Sequence, residues 1–101
     1  MTIDQLDNAE AELQKAISLD KNNYHAHMTM AELMEQQHDV PEAIKSYKRA
    51  AKADKKRPEP HDRLADMYER VGFDDLAEDE KLVAERLRKA LYKSKKKNRN
   101  K

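Results

Sequence analysis

The chain has 101 residues, of which 41% are charged and only 5% aromatic. One glycine (Gly72) and three prolines (Pro41, Pro58, Pro60) leave little material for hairpins, and the abundant Ala, Leu, Glu, Lys, Arg, Gln and Met favour helices, so an all-α fold is expected. Without cysteine there is no disulfide, thiolate metal site or thiol nucleophile, which fits a reducing compartment such as the cytoplasm. The apolar runs are too short for a transmembrane segment, and the first residues have neither the basic start nor the apolar core of a signal peptide.

Five helices are expected in chain order. Thr2 with Gln5 forms a capping-box pattern that opens a helix over 3–19, with Leu6, Ala9, Leu13, Ala16 and Ile17 as its apolar positions. Asn22 or Asn23 caps a second helix over 23–37, carrying Ala26, Met30, Ala31, Leu33 and Met34 inward. Gln37-His38-Asp39 breaks the pattern. Asp39 with Glu42 is a second capping box, and Pro41 is tolerated in the first turn, where its missing N–H would have no helical partner. The third helix, over about 41–54, buries Ala43, Ile44, Tyr47, Ala50 and Ala51. Arg57-Pro58-Glu59-Pro60 starts a fourth helix over 59–71, with Leu64, Ala65, Met67 and Tyr68 inward and Gly72 as its left-handed end. Asp74 caps the fifth, which runs from about 75 toward 93 and buries Leu76, Ala77, Val83, Ala84, Leu87, Ala90 and Leu91.

These helices repeat. An offset of 34 residues places His27 over His61, Met30 over Leu64, Ala31 over Ala65, Met34 over Tyr68, Ala43 over Ala77 and Ala50 over Ala84. Stepping back by 34 brings Ala9, Leu13 and Ala16 onto Ala43, Tyr47 and Ala50. In period and in small and large positions the unit resembles the tetratricopeptide repeat, over roughly residues 4–91. His27 and His61 stand where that family usually has an aromatic, Lys55 where proline is typical, and Lys81 where the second helix usually carries a large apolar residue.

The resemblance implies an α/α superhelical solenoid of antiparallel helix pairs, about two and a half repeats long. Residues 1–92 form the repeat domain, divided as 3–19, 23–57 and 58–92, and residues 93–101 form a basic disordered tail. Because 3–19 matches only the second half of a repeat, the chain is expected to be the C-terminal part of a longer solenoid. The alternative is that this flank is covered by another chain, through self-association or within a larger assembly.

The resemblance also implies a scaffold that binds a protein or peptide segment in a concave groove lined by the first helix of each unit. On those helices His25, Met28, Glu32 and Glu35 share one stripe, and Glu59, Asp62, Asp66 and Glu69 share the other. Six of the eight are acids, which gives a mild bias toward basic ligands. Family members that take acidic chaperone tails use Lys and Asn there, so that ligand is disfavoured. The plainer reading is a solvated face whose acids pair with Arg63 and Arg70.

Charge is unevenly distributed. Fifteen of the 21 Lys and Arg but all 20 Asp and Glu lie in residues 1–92, a body of −5 against a tail of +6. Lys93, Lys95, Lys96, Lys97, Arg99 and Lys101 supply the tail's charge, an alternative route to nucleic acid or an anionic membrane. No catalytic constellation, cofactor motif or metal-ligand spacing is present, so the chain is read as a non-enzyme. His25 and His27 point about 200° apart on a helix and cannot chelate together, His27 and His61 are expected to pack between helices, and His38 lies in a turn.

Overall fold

The computed structural model describes residues 3–99, with side chains from residue 7 to residue 95. Thr2 of the first capping box, the Leu6 side chain, Lys101, and the Lys96, Lys97 and Arg99 side chains lie outside that description. The described residues form five α-helices and no strand: α1 (Ile3–Leu19), α2 (Tyr24–Gln36), α3 (Val40–Ala53), α4 (Glu59–Arg70) and α5 (Asp74–Arg99). They fall into two compact units, Met1–Lys55 with α1 to α3 and Lys56–Lys101 with α4 and α5.

In the first unit α2 and α3 form a helical hairpin, and α1 packs on α2. Asn23 caps α2, its side chain accepting from the Ala26 N–H at 3.1 Å. The hairpin turn is a Schellman motif: the His38 N–H donates to Glu35 O and the Asp39 N–H to Met34 O, both at 2.9 Å. That motif requires a left-handed residue, and His38 occupies it with φ 60°. Asp39 then caps α3 by accepting from the Glu42 N–H at 3.3 Å. Of the expected capping box this half forms; Glu42 itself accepts from Lys45 at 3.2 Å.

The hairpin core is built from small residues at the closest approach and large ones beside it. Ala31, Ala43 and Ala50 are fully buried, with Tyr47 at 0% exposure among them and Met30, Leu33 and Met34 around them. His27 is buried too, its Nε2 2.8 Å from Lys21 O, so the ring ties the turn after α1 to α2. Ile44 and Ala51 of α3 are half-buried rather than buried, as are Ala9, Leu13, Ala16 and Ile17 of α1, whose main packing among the described residues is against α2.

The second unit repeats this hairpin. Leu64, Ala65, Met67, Tyr68, Ala77 and Ala84 are buried, and they sit 34 residues after Met30, Ala31, Leu33, Met34, Ala43 and Ala50. Pro60, fully buried in the first turn of α4, takes the place of Ala26. The Schellman motif recurs, with the Gly72 N–H on Glu69 O at 3.1 Å and the Phe73 N–H on Tyr68 O at 2.8 Å, and Gly72 at φ 84°.

Three expectations change for α5. Asp74 is its first helical residue rather than its cap, since the Phe73 carbonyl accepts the first helical bond, from Ala77. Leu76 (46% exposed) and Leu91 (38%) lie open, with Ala90 also exposed and Val83 and Leu87 half-buried. For Leu76 the cause is rotational, since the Ala77–Ala84 seam faces α4 and Leu76 lies about 100° round the helix from Ala77. Leu91 lies on the seam's own face, in the part of 26-residue α5 that outruns 12-residue α4. Finally α5 continues to Arg99 instead of ending near 93, because no Gly or Pro interrupts residues 93–99, Lys and Arg are good helix formers, and cations suit a helix C-terminus.

Candidate functional site

The two stripes singled out from the sequence occupy one face of α2 and one face of α4. On α2, His25 and Glu32 are exposed and Met28 is half-buried, with the His25 ring edge-on to Tyr24 at 5.3 Å between centroids. Glu35 is half-buried and accepts a hydrogen bond from the Tyr47 hydroxyl, so it braces α2 against α3. On α4, Glu59 and Asp66 are exposed, and neither they nor Glu32 have a hydrogen-bonded or ion-paired partner within bonding distance among the described residues.

Asp62 and Glu69 are different. Asp62 pairs with Arg88 and Glu69 with Lys81, both from α5, rather than with the expected Arg63 and Arg70. Packing α5 onto α4 brings those bases within reach, which helix spacing alone does not reveal. Lys81, in place of a large apolar residue, thus gains a function at the hairpin seam. Its pKa is raised above the ordinary lysine value of 10.5, chiefly by the hydrogen bond to Glu69, then by that carboxylate's charge, with smaller help from Glu78 and Asp66. His61, at the position of buried His27, is only half-buried because it turns Nδ1 to Glu80 Oε2 at 2.7 Å.

Sequence reasoning missed a feature of the first unit. A cleft of about 310 Å³ opens between α1 and α3 over α2, with Ile17, Met30 and Met34 among its lining residues. A second cavity, about 470 Å³, shares Ile17, Lys21 and Arg49 with it and adds Asn22, His27, Lys52 and Ala53. The sequence signal for it was slight: Arg49 and Lys52, three apart on one face of α3.

The tail's Lys93 and Lys95 are exposed on α5, beside open Leu91 and Tyr92. Among the described residues, no three His, Asp or Glu side chains gather to hold a metal ion, and no helix is long and apolar enough to cross a membrane.

Comparison with known proteins supplies the family. No curated protein matches the sequence. Among solved structures, the crystal structure of MamA superposes with a TM-score of 0.84 at 21% identity, over 90% of this chain and 53% of that one. At that identity the likeness speaks for the fold alone, and the chain spans about half the length of MamA's. The tetratricopeptide repeat profile matches residues 4–67, across α1, α2, α3 and most of α4. The chain belongs to the tetratricopeptide repeat family.

Proposed function

We propose that the chain is an interaction scaffold whose exposed α2 face and exposed α4 face each offer a surface to a protein or peptide segment, with a mild preference for basic segments. The family is one of protein-binding helical repeats, and the observation that carries the finer reading is the set of open carboxylates at Glu32, Glu59 and Asp66. Pairing of Asp62 and Glu69 with α5 reduces the charge left for a ligand, so the preference is weak. Such a surface works by being preformed: helices locked by the Ala31–Ala43–Ala50 and Ala65–Ala77–Ala84 seams lose little entropy when a segment docks.

The test is a backbone amide titration of the full chain with a helical peptide of about 14 residues, leucine at every third or fourth position and lysine through one half. Saturable shifts at Glu32, Glu59 and Asp66 that disappear in Glu32→Lys/Asp66→Lys support the reading. Shifts elsewhere, or equal shifts in that variant, contradict it.

A second reading rests on a separate observation. The C-terminal half of α5 sets exposed Leu91 and Tyr92 among Arg86, Lys93 and Lys95, an apolar edge ringed by cations that suits an anionic membrane surface. Co-sedimentation with phosphatidylserine vesicles, lost on removal of residues 93–101, would favour it. Equal sedimentation of the shortened chain would exclude it.

A further inference from the structure

We infer that the cleft between α1 and α3 is a second docking site, distinct from the α2 and α4 faces, and that it takes a helical segment of a partner protein that is acidic at one end and apolar through the middle. Three observations converge on it.

The first is unbalanced charge. Lys45, Lys81, Arg88 and Lys89 each have a carboxylate, from Glu42, Glu69, Asp62 and Glu85. Lys21, Arg49 and Lys52 gather around one cavity, and none has an ion-pair or hydrogen-bond partner for its side chain among the described residues. The lining of that cavity holds three cations and no acid, a set that suits an anionic group.

The second is the lining. Met30 and Met34 are at most 8% exposed, yet both line the cleft together with Ile17. Unbranched thioether side chains adapt to differing apolar ligand shapes. Ser46 is 3% exposed and also lines the cleft, and its hydroxyl has no hydrogen-bond partner among the described residues. Among the described residues no polar side-chain atom is sealed off without a partner, so that hydroxyl meets solvent in the cleft and is available to a ligand.

The third is polarity along the cleft. Glu10 and Glu42 line only the first cavity and Lys52 only the second, with Lys21 and Arg49 shared by both, so one end carries both signs and the other only cations. A uniform polyanion such as a nucleic acid strand would gain at the cations and be repelled at Glu10 and Glu42. The lining also offers no phenyl or indole ring for base stacking. A helix with acids at one end, leucines over the methionines and neutral polar residues at the other end fits both.

The experiment uses the full chain with its methionine and isoleucine methyls labelled. The probe is a helical peptide of about 14 residues, leucine at every third or fourth position, glutamate through one half and glutamine through the other. Saturable shifts of Met30, Met34 and Ile17 are expected, with affinity reduced about tenfold or more in Lys21→Glu/Arg49→Glu/Lys52→Glu. That variant should in turn bind the lysine version of the peptide in the same cleft, a gain that a misfolded chain would not show. The inference is overturned if the glutamate peptide leaves these methyls unmoved at about 1 mM, if the variant binds it as well as the parent, or if an oligothymidylate of similar length shifts the same methyls as strongly. Because the α2 and α4 faces are read through Glu32, Glu59 and Asp66, either site can fail while the other stands.

Discussion

His38 and Gly72, 34 residues apart, do the same job at the ends of α2 and α4 with φ of 60° and 84°. An L-residue in the left-handed region costs about 1–2 kcal/mol, which glycine avoids at some expense in unfolded-chain entropy. His38→Gly is therefore expected to stabilise the chain by about 0.5–1 kcal/mol, read as a higher urea midpoint. Gly72→Ala should cost about 1 kcal/mol from backbone strain alone, since a Cβ there meets no atom within 4 Å. Gly72 was legible as a helix end because glycine announces a positive φ. His38 was placed in a turn, but its conformation was hidden because histidine carries no such signal. Lys81 supplies a titration test. Its folded pKa is raised by Glu69, so the pair's stabilisation is present below the ordinary lysine pKa and is lost as pH rises through the folded value. Glu69→Gln should move the Lys81 titration, followed at its side-chain carbon by NMR, back toward the ordinary lysine value of 10.5.

At the scale of elements, the α2–α3 hairpin depends on Tyr47, fully buried with its hydroxyl on Glu35. Tyr47→Phe should cost about 1 kcal/mol and Tyr47→Ala about 3–5 kcal/mol, the difference separating the hydrogen bond from the ring's packing in urea unfolding. Helix existence and inward faces were legible for α2 and α4 because their apolar residues recur at three and four with small residues in register. The far end of α5 was not. A run of lysines reads as a solvated tail, yet it also lacks any helix stop, and the backbone continues helical to Arg99. Ending the chain after Tyr92 should lower the far-UV helical signal while moving the stability of the second unit by no more than about 0.5 kcal/mol, because Lys93 and Lys95 are exposed.

At the scale of the molecule, a repeated hairpin supplies rigid cores and leaves function to whatever lies on the open faces. The acidic stripes could be read from helix spacing. Which acids are open could not, since Arg88 and Lys81 reach Asp62 and Glu69 across the α4–α5 seam. Nor could the α1–α3 cleft, whose lining comes from three helices and the turn after α1. The most direct test of the scaffold account is selection of a displayed random-peptide library on the folded full chain, with heat-unfolded chain as the depletion step. Convergent peptide families are expected, their binding lost on charge reversal at Glu32 and Asp66 or at Lys21, Arg49 and Lys52. Selection that yields no family preferring the folded chain, or families indifferent to both reversals, would contradict it.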